Sequence, residues 1–169
     1  MNHTLITFLG NVPAHSGGQY RQTTYELDQQ PFSCRFLGTG LAKALKVDQV
    51  RILGTAGSMW DVLAEELGAT QDEDTWVALS DAVRADRVTP ELLQSVEQQL
   101  NQAQPDQKFE LRLIPYGYEE DKQVEIMRAL SEGLDQGEHE VTLDITHGFR
   151  HLPMLGLLGM LYVRSIGHA

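Results

Sequence analysis

Short apolar runs alternate along the chain with stretches in which apolar residues recur at helical spacing. Four of these runs predict buried strands, at residues 5–9, 50–53, 109–114 and 141–145. Each run leads into a loop that contains glycine, and Gly10 and Gly54 directly follow the first two. Residues 25–37 alternate less regularly and contain Pro31, a pattern that is compatible with a hairpin.

Helical spacing predicts helices at residues 40–45, 59–67, 121–130 and 152–163, and a further helix that begins at Pro90. Thr89 can cap this last helix, because it precedes the proline that helices favour at their first position. Ser58 is the expected cap of the helix at residues 59–67. The side chains expected to face the core from residues 121–130 are Val124, Met127 and Leu130. Residues 71–87 are polar, and we interpret them as a helical connection.

Strands that alternate with helices predict an α/β fold, which is Rossmann-like with a mostly parallel sheet and helices on both faces. The length of 169 residues and the 41% hydrophobic content fit one domain that spans residues 1–169. Ligands of such sheets bind beyond the carboxyl ends of the strands. We therefore expect the loops that begin at residues 10, 54, 115 and 144 to converge on one rim.

The amino-acid composition excludes several classes of partner for this domain. A formal net charge of -11 argues against binding DNA or other long nucleic acid, because such affinity depends on Lys and Arg. The single Cys34 and the lack of a secretory leader favour a cytoplasmic protein. The longest apolar stretch, at residues 152–163, is too short to span a bilayer, so we expect no membrane association. A compact anion remains a plausible ligand if backbone N–H groups and a few arginines hold it.

Nucleotide-cofactor and metal motifs are missing from the chain. Neither GxGxxG nor GxxxxGK[ST] follows a predicted strand, so no cofactor is expected. The loop Gly54-Thr55-Ala56-Gly57-Ser58 has two interpretations of equal weight, a tight strand-to-helix turn and a phosphate-binding loop. His147 and His151 have the spacing of a zinc pair on a helix. However, Pro153 favours a helix that starts after His147, and no further ligand stands at a useful spacing, so no metal is expected.

The loop after the fourth predicted strand has the strongest functional pattern. It reads Asp144-Ile145-Thr146-His147-Gly148, so that a carboxylate, a hydroxyl, an imidazole and a glycine lie where ligands of parallel sheets bind. The alternative interpretation is structural, with Asp144 or Thr146 capping the following helix and His147 forming hydrogen bonds at the rim.

The sequence DITHGFRHLPML at residues 144–155 resembles the DxTHG motif of one branch of the CRISPR-associated Rossmann fold (CARF) proteins. The resemblance extends to the amino-terminal half, with a first strand ending at Gly10, a polar loop that contains Tyr20 and Tyr25, a second strand at residues 34–37, and Gly54-Thr55. It implies a homodimer that binds a cyclic oligoadenylate, a tetra- or hexa-adenylate ring, in type III CRISPR antiviral defence. It also implies a C-terminal effector domain, which we expect to lie outside this chain.

The same resemblance implies which residues surround the ligand. They are Gly10, Asn11, Ser16 and Gly17 after the first strand and Thr146, His147, Gly148 and Arg150 in the DxTHG loop. The loop of Gly54, Thr55, Ala56, Gly57 and Ser58 is also placed to reach an adenine or a phosphate. The residues His15-Ser16-Gly17-Gly18 differ from the FLGTGxY that is common in this family, so the ring size stays open.

Two functions are compatible with this resemblance. The first is a sensor domain that binds the ring and passes the signal to an effector. The alternative is a ring nuclease, in which a 2′-hydroxyl of the ligand attacks its own phosphate without a metal and the protein orients the bond. The candidate catalytic residues of the nuclease are His147, Arg150, Ser16 and Thr146. A transcriptional regulator would need a helix-turn-helix and a basic face, and the sequence indicates neither.

Overall fold

A computed structural model describes residues 2–11, 22–134, 139–146 and 151–166. The strands within these ranges are β1 (Asn2–Leu9), β2 (Thr23–Leu27), β3 (Gln30–Cys34), β4 (Gln49–Gly54), β5 (Lys108–Leu113) and β6 (His139–Leu143). The helices are α1 (Leu37–Leu45), α2 (Trp60–Glu66), α3 (Glu73–Arg84), α4 (Pro90–Ala103), α5 (Glu120–Ser131) and α6 (His151–Ile166). Among the described residues, no helix is both long and apolar enough to cross a bilayer.

Four of the strands form one parallel sheet in the order β5-β4-β1-β6. The chain therefore moves from β1 through β4 to β5 in one direction and then crosses back to place β6 on the other side of β1. Strands β2 and β3 form a separate antiparallel hairpin, as the sequence between residues 25 and 37 predicts in part. The predicted parallel sheet is confirmed.

Both faces of the sheet are covered, because successive side chains of each strand point to opposite sides. On one face Leu5 and Val50 pack with residues from α1, α2, α3 and α4. On the other face Ile6 and Leu53 pack with Ile126 and neighbouring residues of α5 and α6. This arrangement confirms the α/β, Rossmann-like prediction.

A buried ion pair ties helix α5 to the sheet. Arg51 of β4 donates from Nε to Glu110 of β5 at 2.8 Å, and its Nη1 donates to the carbonyl oxygen of Leu130 at 3.0 Å. The second bond satisfies a carbonyl near the end of α5, which lacks an intrahelical partner. Both charged side chains are buried between the sheet and α5, and each has a hydrogen-bond partner there.

The structure confirms several predicted elements and corrects others. Thr89 caps α4 through its hydroxyl, with Pro90 at the first position, and α3 is the helical connection predicted between residues 71 and 87. The second strand predicted at residues 34–37 is wrong, because Cys34 ends β3 and Leu37 begins α1. In the described part of the β1–α1 connection, residues 22–36, the β2–β3 hairpin ends two residues before α1.

Two predicted side-chain roles are also wrong. Ser58 does not cap α2, because Met59 holds the capping position and the Ser58 hydroxyl bonds to the end of β1. Val124 is 44% exposed, whereas Ile126 and Leu130, one helical turn apart, face the sheet from α5. Strand β6 ends at Leu143, two residues earlier than predicted, because a turn starts at Asp144.

Candidate functional site

The carboxyl ends of the four parallel strands bring their loops to one edge of the sheet, as predicted. The order of the strands reverses between β1 and β6, which are hydrogen-bonded neighbours although they lie at opposite ends of the chain. In open parallel sheets a crevice forms at this reversal, because the two adjacent loops lead to helices on opposite faces. Gly10 and Asn11 follow β1, and the DxTHG segment follows β6, so both predicted loops start at the crevice.

A hydrogen-bonded pair connects the two strands at the crevice. The hydroxyl of Thr7 donates to Oδ2 of Asp144 at 2.8 Å, and both side chains are buried. The other oxygen of Asp144 accepts from the backbone N–H of Thr146 at 2.9 Å. The backbone N–H of Asp144 continues the sheet by donating to Ile6. Asp144 therefore shapes the start of its loop, and Thr146 stands exposed beyond it.

The loop between β4 and α2 is bonded to the end of β1. The Ser58 hydroxyl donates to the carbonyl oxygen of Leu9 at 2.8 Å and accepts from the N–H of Thr55 at 2.9 Å. Trp60 donates from its indole to the carbonyl oxygen of Thr55 at 2.8 Å. The hydroxyl groups of Thr55 and Ser58 are buried and hold the turn. A contact between a ligand and this loop stays a prediction, and Ala56 is the only partly exposed residue of the five.

The loop after β5 is held by a residue that the sequence did not single out. The hydroxyl of Tyr116 donates to Asp86, in the connection before α4, at 2.7 Å. Burial raises the pKa of Tyr116, and the hydrogen bond to Asp86 raises that pKa further, so the phenol stays protonated at neutral pH. Asp86 could not be identified from sequence, because nothing in its local pattern indicates which loop it meets.

A narrow pocket opens between the end of β1 and the start of α1. The hydroxyl of Thr39 in this helix donates to the carbonyl oxygen of Phe36 at 2.9 Å, which closes the first turn. Thr7, the partner of Asp144, forms part of the wall, so the pocket adjoins the crevice. The lining is mainly apolar and consists of Thr7, Phe8, Leu9, Phe36, Leu37, Gly38, Thr39, Ile52 and Leu63.

The structure brings part of the predicted site together. Gly10, Asn11, the Gly54 to Ser58 loop and Thr146 all lie at the carboxyl edge of the sheet. Ser16, Gly17, His147, Gly148 and Arg150 lie outside the described residues, so their contacts stay predictions. Within the described ranges, no group of three or more His, Cys, Asp or Glu side chains gathers as a metal site would require.

Comparison with known proteins points to one family. Residues 4–166 match the family model described as "CRISPR system endoribonuclease Csx1, CARF domain". The CRISPR-associated protein MJ1674 of Methanocaldococcus jannaschii is 28% identical over 166 residues, an alignment that covers 86% of this chain and 26% of that protein. The chain thus spans about a quarter of the length of this relative.

Proposed function

The chain belongs to the CARF-domain family of the CRISPR endoribonuclease Csx1, and we propose from this membership that it is a sensor of cyclic oligoadenylate in type III CRISPR defence. The ring binds at the carboxyl edge of the sheet, and binding is passed to an effector outside these residues. We place the protein in the cytoplasm, where its ligand would be made.

The observation that carries this proposal is the bond between Thr7 and Asp144 at the crevice. It joins the end of β1 to the first residue of the DxTHG motif, so the two loops that the family resemblance assigns to the ligand start side by side. The turn at Asp144 leaves Thr146 exposed. A buried carboxylate that positions a loop in this way supports a preformed binding site.

The negative net charge of the protein opposes the binding of a phosphate-bearing ligand at this site. Because the formal net charge is -11, the overall field repels a ring of phosphates, and local donors must outweigh it. We propose Arg150 as the cationic donor, together with backbone N–H groups of the glycine-bearing loops. Arg150→Ala should therefore weaken binding by about 1.5–3 kcal/mol, the scale of a hydrogen bond to a charged group.

The proposal includes a homodimer. Helix α6 carries a stripe of five large apolar residues, each more than half exposed. They are Met154, Leu157, Leu158, Leu161 and Tyr162. The spacing of three and four residues places them on one side of the helix. A second copy of this chain is the occupant that fits, because a two-fold interface presents the same stripe from both subunits and a cyclic ligand can share the two-fold symmetry.

Calorimetry with cyclic tetra-adenylate and cyclic hexa-adenylate tests the proposal, with the linear oligoadenylates of the same lengths as controls. We expect one ring per dimer and weaker binding of the linear forms. Chromatography of the same samples after incubation reports cleavage, so a ring nuclease would be recognised by linear products that disappear with His147→Ala. Failure of a folded dimer to bind either ring would overturn the assignment.

A further inference from the structure

Two tyrosines of the loop between β5 and α5 form a stacked pair at the rim. The rings of Tyr116 and Tyr118 are parallel to within 2°, with centroids 5.9 Å apart, which is the offset arrangement that aromatic pairs prefer. Tyr118 is 78% exposed although one face of its ring lies against Tyr116. The opposite face of Tyr118 is therefore open to solvent.

Two hydrogen bonds and a glycine turn fix the positions of the two tyrosines. Tyr116 donates to Asp86 at 2.7 Å, and Gln123 donates from its amide to the carbonyl oxygen of Gly117 at 3.2 Å. Gly117 has a φ of 74°, in the left-handed region that favours glycine, and this turn brings Tyr118 back over Tyr116. A Cβ atom at Gly57 would lie 2.8 Å from Oδ1 of Asp86 and 3.1 Å from the Tyr116 hydroxyl, so a larger residue there would displace the Asp86 carboxylate.

We propose that a purine base of the bound ligand stacks on the open face of Tyr118, and that Tyr116 is the positioning residue for this contact. The inference rests on the proposed function and adds a specificity-determining residue to the same rim. Aromatic side chains bind the π-face of a base, and a purine offers them a larger face than a pyrimidine.

The position of the pair matches a ligand of several nucleotides. Strand β5 is two strands from β1, so the pair lies about 10 Å from the crevice along the edge of the sheet, given the usual spacing between strands. A mononucleotide held at the crevice would leave Tyr118 uncovered, whereas an oligonucleotide ring can place its phosphates at the inner loops and one base on Tyr118. An aromatic ring that is 78% exposed contributes little to the core.

Three variants test the inference. Tyr118→Ala should weaken binding of cyclic tetra-adenylate by about 5- to 150-fold, the range observed at base-stacking aromatics. Tyr118→Phe keeps the ring and should stay within about twofold of the wild type. Val124→Ala, at an exposed apolar position of α5, is the control and should bind like the wild type. Equal affinity of Tyr118→Ala and Val124→Ala would overturn the inference while leaving the proposed function intact.

A fluorescent ring separates stacking from a general effect on the loop. Cyclic tetra-adenylate with one adenine replaced by 2-aminopurine should lose fluorescence on binding, because stacking quenches this base, and should keep more of it with Tyr118→Ala. If the wild type binds no ring, 2-aminopurine riboside monophosphate at millimolar concentration tests the contact alone. Quenching that depends on Tyr118 would then support the stacking site and reject the ring ligand, and unchanged quenching in the variant would reject the site.

Discussion

Thr7 and Asp144 are separated by 137 positions in the sequence, yet the hydroxyl of one donates to the carboxylate of the other at 2.8 Å. Both side chains are buried at the carboxyl edge of the sheet, where β1 and β6 are neighbours. Each oxygen of Asp144 has a donor, since the second accepts from the N–H of Thr146. The pair therefore couples the loop after β1 to the DxTHG loop.

Thr7→Val removes the hydroxyl and keeps the shape of the side chain. One oxygen of a buried carboxylate then loses its donor, so we expect the free energy of unfolding to fall by about 1.5–3 kcal/mol. Binding of cyclic tetra-adenylate should weaken as well, because the turn at Asp144 is less firmly held. Urea denaturation and calorimetry on the same preparation measure the two effects. Thr4→Val, at a buried position earlier in the same strand, should change both by much less.

His147→Ala should weaken cyclic oligoadenylate binding by more than about tenfold and leave the melting temperature nearly unchanged, since a rim residue contributes little to the core. A structural histidine would behave differently: its loss would lower stability by more than about 1 kcal/mol, and binding would fall only with the folded fraction. Zinc and EDTA should alter neither result. A melting temperature that responds to the chelator would instead indicate a metal site.

Leu158→Glu places a charge in the middle of the exposed apolar stripe of α6. We expect the wild type to be a dimer and the variant a monomer in light scattering at micromolar concentrations, because the charge would be buried in the interface without a partner. Val77→Glu makes the same change at a 45% exposed position of α3 and should leave the dimer intact. A wild-type monomer under these conditions, or a dimeric Leu158→Glu variant, would contradict the proposed interface.

Glu66→Gln should stabilise the protein at neutral pH. Burial raises the pKa of Glu66 above its ordinary value of 4.5, although Arg35 partly opposes this, and Oε2 is buried with no hydrogen-bond partner. A raised pKa means that the protonated form favours folding, so this stabilisation is present below pH 4.5 and is lost as the pH rises. The variant should therefore melt above the wild type at pH 7 and close to it at pH 4. Glu65→Gln, at the exposed neighbouring position, is the control and should show no such difference.

Sequence alone determined the features that depend on neighbouring residues. The apolar runs at residues 5–9 and 50–53, each followed by glycine, predicted two strands of the sheet because a short apolar run with its terminating glycine is a local pattern. Thr89 and Pro90 predicted the start of α4 because capping joins residues only a few positions apart. The motif at residues 144–148 indicated the family, which the match over residues 4–166 confirms. Local pattern was insufficient at residues 34–37, where a short apolar segment fits a strand and a helix equally well.

The tertiary structure decided which distant residues meet. Asp144 was a candidate cap or ligand residue from sequence, and only the strand order β5-β4-β1-β6 made Thr7 its partner. Asp86 contacts Tyr116 across 30 positions, and the Ser58 hydroxyl bonds to the carbonyl oxygen of Leu9 instead of capping α2. The physical reason is the same in each case: a hydrogen bond depends on a few ångströms between two groups, and the distance between loops is set by how the strands pair and not by the residues on either side of each group.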